Sequence, residues 1–217
     1  MRYSDALELQ HRHGAALERS AARNATLLLL QHTPVFTLGR TTVREHLLCS
    51  PQELAARTGA EVIETDRGGS VTYHAPGQLT AYLLLNLQVW KLPIHEHLDK
   101  LEQVALGTLA RFGISGRREQ GMTGVWVGAE AAEKICAIGV SARRWVTYHG
   151  LSLNVDLDLT PFYAVVPCGL AGKRVTSMAR VLQRPVSMRD VENAMAAVVG
   201  AVYGAKVEST PVDRPGA

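Results

Sequence analysis

A cysteine, a lysine and a glycine-rich turn are the features of this 217-residue chain whose types and spacing could do chemistry. Pro167-Cys168-Gly169 follows the apolar pair Val165-Val166, so proline and glycine put Cys168 on a constrained bend where a thiol can be exposed. A thiol becomes a nucleophile only as its thiolate, and with an ordinary pKa of about 8.5 it needs a cation nearby. Lys134 opens the apolar run Lys134-Ile135-Cys136-Ala137-Ile138-Gly139 and is one candidate for that cation. Its position has two readings: an ammonium at the rim of a pocket, or a strand-end lysine that snorkels to water. Separation along the chain does not decide whether Lys134 and Cys168 meet.

The second feature is Arg67-Gly68-Gly69-Ser70-Val71-Thr72-Tyr73-His74-Ala75-Pro76-Gly77-Gln78, read as a loop between strands. Gly68 and Gly69 permit positive φ and close backbone approach to a ligand, while Arg67, Ser70, Thr72, His74 and Gln78 crowd hydrogen-bonding groups around the bend. An ordinary glycine-rich turn carrying a surface arginine is the plainer alternative. Thr147–Val155 alternates apolar and polar residues, as in a half-buried strand with His149 facing solvent. Cys136, inside an apolar run, reads as a small buried hydrophobe, and Cys49 as structural. The eight histidines include no HExxH spacing, which leaves metal ligation with little support.

The elements that must position these groups interleave helices and strands. Ser4 is placed to cap a helix running to about Arg19, with Tyr3, Leu7 and Leu17 on its apolar face. Ala25–Leu30 has the length of a buried strand. Ser50-Pro51-Gln52-Glu53 is a capping box that opens a helix ending at Gly59, followed by a strand at Val62-Ile63. Leu79–Leu85 is another strand, and Ile94, Leu98, Leu101, Ala105 and Leu109 share one face of a helix stopped near Gly113. Val125–Val127, Ile135–Val140 and Trp145–Val155 form a meander, and Val191–Tyr203 is a last helix for whose cap Ser187 and Asp190 compete. The middle strands lack helices between them, so the class is mixed α/β (α+β), with a largely antiparallel or mixed sheet flanked by helices. Residues 1–210 are expected to form one domain, and 211–217 a frayed tail.

Composition narrows the partners. Net charge is +3 from 23 basic and 20 acidic residues, with no basic run and only 6% aromatics, which argues against nucleic acid and suits an acidic protein partner. Three cysteines without a CxxC pair argue against a disulfide framework or zinc ribbon. No apolar run approaches the roughly 20 residues of a membrane span, and Met1–Asp5 do not begin a secretory signal. The expected setting is the cytoplasm.

Taken together, the motifs resemble the lipoate-biosynthetic octanoyltransferases. The residues that carry the resemblance are His32-Thr33-Pro34-Val35-Phe36-Thr37-Leu38-Gly39, then Arg67-Gly68-Gly69 through His74 to Pro76-Gly77-Gln78, and Tyr82. They continue through Lys134–Gly139, His149-Gly150-Leu151 with Asn154, and Pro167-Cys168-Gly169 with Val175-Thr176-Ser177. Ala75, Cys136 and Ser141 depart from the family's usual Gly, Ala and Arg. The resemblance implies the fold of biotin and lipoate protein ligase catalytic domains. It also implies transfer of an octanoyl group from acyl carrier protein to a lysine of lipoyl domains, those of 2-oxoacid dehydrogenases and the glycine cleavage H protein. By the same resemblance Cys168 carries the acyl group and Lys134 lowers its pKa. Substrate contacts fall on Arg67, Gly68, Gly69, Ser70, Val71, Thr72, Tyr73 and His74, on Ala137, Ile138 and Gly139, and on Gly150, Leu151 and Ser152.

Such a transfer needs no cofactor, and ATP has no evident place in it. An ATP-dependent lipoate or biotin protein ligase, a non-catalytic protein that binds acyl carriers or lipoyl domains, and a cysteine hydrolase releasing octanoate are the competing readings.

Overall fold

The sequence Gln78–Leu85 is buried at all eight positions, and the rest of the molecule is layered on its two faces. The structure, a computed structural model, describes residues 1–129, 132–165 and 174–209. In chain order these contain α1 (Tyr3–Glu18), β1 (Ala25–Leu30), β2 (Val35–Leu38), α2 (Pro51–Thr58), β3 (Glu61–Glu64), β4 (Val71–His74) and β5 (Gln78–Leu85). There follow α3 (Leu87–Trp90), α4 (Ile94–Ala110), β6 (Arg117–Glu119), β7 (Met122–Val127), β8 (Glu133–Arg143) and β9 (Val146–Asn154), then β10 (Arg174–Val175), α5 (Met178–Leu182) and α6 (Met188–Tyr203).

The large sheet runs β1-β5-β9-β8-β7-β6, antiparallel along that path, with β10 lying parallel to Glu133–Lys134 of β8. A second sheet, β3-β2-β4, is parallel on one side of β2 and antiparallel on the other. The mixed α/β class read from the chain is the observed one. Leu79, Ala81, Leu83 and Leu85 face a core shared with Leu101, Val104 and Leu109 of α4 and Val191, Met195 and Val198 of α6. Tyr82 and Leu84 point the other way and pack beneath Ala6, Leu9 and Leu17 of α1. The small sheet brings its own core, built on Phe36, Leu54, Val71 and Tyr73. The functional layer lies between the two sheets, on the face of β5 that carries Thr80 and Tyr82.

Local chemistry explains several boundaries. The Ser50 hydroxyl accepts from the Glu53 N–H, the Glu53 carboxylate accepts from the Ser50 N–H at 2.8 Å, and Gly59 ends α2 at φ +67°. Ser187, not Asp190, caps α6. Other expectations are corrected. Arg2 occupies the N-cap of α1 without a side-chain bond, and Ser4 lies inside the first turn hydrogen-bonded to Asp5. Ala25–Leu30 is an edge strand in which only Leu28 is buried, because a neighbouring strand covers it on one side alone. Ile94 is 41% exposed; the buried stripe of α4 starts instead at His97. Val71–His74, read as loop, is the strand β4 paired with β2. The expected tail, 211–217, lies outside the described residues. Among the described residues no helix is long and apolar enough to cross a membrane.

Candidate active site

Two rows of residues, small on β8 and β9, cross three strands and make a low floor. Tyr82 of β5 pairs with Gly150 of β9, which pairs with Gly139 of β8; the next row is Thr80, Ser152 and Ala137. Above this floor lie Arg67, Gly69 and Ser70 of the loop before β4, with Thr72 and His74 of β4 itself. Tyr3 of α1 and His149 complete one end, and Ile138 and Leu151 flank the floor. The space enclosed, counting its open mouth, is about 460 Å³. The buried Tyr3, His74, Thr80 and Tyr82 form the closed end, whereas the exposed Gly69 and half-buried Ala137–Gly139 lie toward water.

The loop reaches the floor because β8 carries a glycine where a side chain would collide with it. The Gly68 N–H donates to the Val140 carbonyl at 3.0 Å, and a Cβ on Gly139 would stand 2.7 Å from the Gly68 carbonyl oxygen. Gly69 holds φ +82°, open to glycine at little cost. Arg67 is folded inward: Nε donates to Thr37 Oγ1 at 2.9 Å and Nη2 to the Thr37 carbonyl. His74 Nδ1 lies 2.7 Å from Gln78 Oε1, and the Gln78 amide donates to Asn154 Oδ1 at 2.9 Å. Asn154 in turn donates to the Thr176 carbonyl. His32 Nε2 is 2.7 Å from the Tyr82 hydroxyl, so the His74 and Tyr82 rings of the closed end are both held from behind.

His149 departs most from its expected place. It is 2% exposed, not solvent-facing, and carries φ +62° in mid-strand. A left-handed conformation in a non-glycine residue costs on the order of 1–3 kcal/mol and persists only where the surroundings impose it. Three bonds do so. The His149 N–H donates to Gln10 Oε1 at 2.7 Å, Nε2 is 2.7 Å from Asp66 Oδ1, and Nδ1 is 3.3 Å from the Tyr3 hydroxyl. The hydrogen bond from His149, together with one from Ser141, holds the Asp66 carboxyl down at about 2.

Burial makes the surrounding histidines acid-sensitive. It pushes His32 and, in the helical layer, His97 down to about 4, and holds His74 well below the ordinary value. The unfolded chain protonates these rings near pH 6.5, while the folded chain resists down to about 4. Between those values the unfolded state binds more protons, so stability is complete above pH 6.5 and falls as pH drops. At about 1.4 kcal/mol per unit, His32 and His97 each withdraw about 3 kcal/mol by pH 4. Urea midpoints measured from pH 7.5 to 4.5 should fall steadily; a constant midpoint would contradict the buried neutral rings.

Of the residues expected to contact substrate, Arg67, Gly69, Ser70, Thr72 and His74, Ala137 to Gly139, and Gly150 to Ser152 line this one pocket. Gly68, Val71 and Tyr73 do not; Val71 and Tyr73 point into the small-sheet core. Lys134 is only 6% exposed and does not snorkel. Its ammonium donates to the Thr123 carbonyl at 3.0 Å and stands 4.7 Å over the Trp126 ring. It is not among the residues that line the pocket. Cys136 is fully buried, and burial pushes its thiol up to about 12, so it is inert as read. Cys168, in the segment 166–173, lies outside the described residues. The flanks of that segment are described: Val165 bridges Leu47, and Arg174–Val175 pair with Glu133–Lys134.

The substrate contacts expected from the chain did not include Tyr3, Thr80, Tyr82 and His149, nor Asp66 behind them. Tyr3 arrives from a helix remote in sequence, and no local pattern marks it. Asp66 was discoverable as a carboxylate directly preceding the Arg-Gly-Gly turn.

Among known proteins, the family described as the lipoyl protein ligase A/B catalytic domain matches residues 2–200. The chain is 45% identical over 203 residues to an octanoyltransferase of Chloroflexus aggregans, covering 93% of this chain and 90% of that protein. It is 41% identical over 206 residues to an octanoyltransferase of Gloeobacter violaceus, covering 95% and 88%. Among solved structures it is similar to a bipartite lipoate protein ligase of Thermoplasma acidophilum, with TM-score 0.76 at 16% identity over 96% of this chain and 82% of that one. It is also similar to a lipoate-protein ligase A bound with ATP, with TM-score 0.75 at 17% identity over 93% and 83%. At such identities the last two likenesses concern the fold.

Proposed function

We propose, for a chain that belongs to the lipoyl protein ligase A/B catalytic-domain family and is an octanoyltransferase within it, a two-step transfer through Cys168. The protein is an acyltransferase that moves octanoyl groups in protein lipoylation. In the first step the Cys168 thiolate attacks the thioester carbonyl of octanoyl-acyl carrier protein. The carrier's sulfur leaves and takes a proton, and the octanoyl group remains as a Cys168 thioester. In the second step the ε-amine of a lipoyl-domain lysine attacks that thioester, the carbon–sulfur bond breaks, and the amide forms. One thioester exchanged for another keeps the intermediate close in energy to the donor, and two protein partners use one site in turn. The setting proposed is the cytoplasm, and the acceptors are the lipoyl domains of 2-oxoacid dehydrogenases and the glycine cleavage H protein.

Lys134 stabilises the thiolate as an ammonium. Once the sulfur is acylated that anion is gone, and Lys134 is free to release its proton and take one from the incoming amine. Among the described residues β7 follows β8 only as far as Cys136, so the edge from Ala137 onward borders the pocket mouth. Backbone N–H groups there and beside Cys168 are the donors proposed for the oxyanion of each tetrahedral intermediate. The floor of Gly139, Gly150, Ala137 and Ser152 leaves room for an extended chain, worth about 0.8 kcal/mol per buried CH₂.

The observation that carries this reading is the convergence of residues 67–74, 137–139 and 150–152 on one pocket. Its test is transfer from octanoyl-acyl carrier protein to a purified lipoyl domain in the absence of nucleotide. A mass increase of one octanoyl group on the domain is expected. Loading of free lipoate that requires ATP would select the ligase reading, and release of octanoate to water the hydrolase.

A further inference from the structure

Asp66 and His149 stand outside the two-step scheme above, yet they tie together the two walls of the pocket. Asp66 directly precedes Arg67 of the loop, and His149 directly precedes Gly150 of the floor. Their side chains meet at 2.7 Å. Because a carboxylate only accepts, His149 Nε2 carries the proton in that bond, and Nδ1 lies 3.3 Å from the Tyr3 hydroxyl. Asp66 also accepts from Ser141 of β8 at 3.0 Å, so loop, β8, β9 and α1 converge on the Asp66–His149 pair.

The backbone shows what this clamp does. At His149 the strand turns through φ +62°, and the following Gly150 is pressed so closely against β5 that a Cβ would stand 2.2 Å from the Ala81 carbonyl oxygen. An unclamped residue 149 relaxes toward an extended φ, and the 149–150 peptide rotates with it. That rotation carries Gly150 and Ser152, which form the middle of both floor rows. We infer that His149, clamped by Asp66, is a positioning residue that sets the height of the pocket floor and thereby the affinity for the octanoyl chain.

This inference rests on the octanoyl-transfer reading, and its test separates the two. Asp66 is largely exposed, so Asp66→Ala removes the clamp without opening a cavity. Steady-state transfer should show the KM for octanoyl-acyl carrier protein raised about tenfold, with the KM for the lipoyl domain and kcat each within about twofold of the parent. Asp66→Asn keeps an acceptor oxygen for His149 and should return the donor KM to within about twofold. His149→Asn tolerates positive φ but reaches less far, and should raise the donor KM as Asp66→Ala does. The double variant should be no worse than either single one, because both break the same bond. An unchanged donor KM in Asp66→Ala, a loss confined to kcat, or additive losses in the double variant would overturn the inference. If Asp66→Ala does not fold, the comparison of Asp66→Asn with His149→Asn decides alone: equal donor KM values overturn it. Absence of octanoyl transfer by the parent protein would instead remove the function from which the inference starts.

Discussion

Cys168→Ala lowers octanoyl transfer to a lipoyl domain by at least about 10⁴-fold, the scale of removing a nucleophile from a covalent mechanism. Neither cysteine among the described residues, Cys49 or Cys136, has the setting of a nucleophile. Cys136 is enclosed by the helical core with its thiol pushed up to about 12, and a thiol in that state is not a nucleophile near neutral pH. Cys49 packs at the margin of the small-sheet core, and Cys49→Ala keeps transfer within about twofold. Cys168→Ser should be nearly as damaged as alanine, because an oxygen ester is a poorer acyl donor to an amine than a thioester. The check is the rate of appearance of octanoylated lipoyl domain, followed by mass over three decades of enzyme concentration. Turnover by Cys168→Ala within tenfold of the parent would exclude the covalent route.

Lys134→Ala lowers kcat/KM by about 10²- to 10³-fold, the usual worth of one proton-handling group. Its sign with pH is specific. An ammonium beside a thiolate favours the ionised sulfur, by about 1.4 kcal/mol for each unit of pKa it removes. Without it, the thiol of Cys168 should need a higher pH to react with iodoacetamide, so the alkylation profile shifts upward. Lys134→Arg restores the charge and returns the profile toward the parent, but it cannot accept the amine's proton, and transfer stays low. The lysine also stands over Trp126 and donates to the Thr123 carbonyl, so thermal stability is measured alongside. An alkylation profile identical to the parent's in a folded Lys134→Ala protein would remove the lysine from the mechanism.

What could be read from the chain divides along the range of the forces involved. The Ser50-Pro51-Gln52-Glu53 box and Gly59 bound α2 by bonds made within four residues, and they read correctly. Leu79–Leu85 read correctly as a strand, because a strand buried on both faces is a largely apolar run. The same rule misled at Ala25–Leu30, where an equally apolar run lies at the sheet edge and pairs with a neighbour on one side only. Residues 71–74 became a strand only through pairing with Val35–Leu38, whose four residues carry little periodicity of their own. The substrate stretches were legible through motif order, yet their meeting in one pocket depends on register: Gly139 with Gly150, and Gly150 with Tyr82. His149 was misplaced on the solvent face because its burial is made by Tyr3 and Gln10 of α1, and strand alternation carries no sign of a helix laid across it. Of the two readings of Lys134, the snorkelling one fails for a similar reason: Trp126 and the Thr123 carbonyl gather its ammonium inside the fold.

The account stands on an octanoyl group residing on a single sulfur between two visits. Incubating the protein with octanoyl-acyl carrier protein, without acceptor, and mapping the trapped adduct by peptide mass spectrometry measures this directly. One octanoyl group on the peptide that contains Cys168, lost on adding a lipoyl domain, is the result predicted. An unlabelled Cys168 in protein that still octanoylates the domain, or a label on Cys49 or Cys136 that chases into it, would contradict the account.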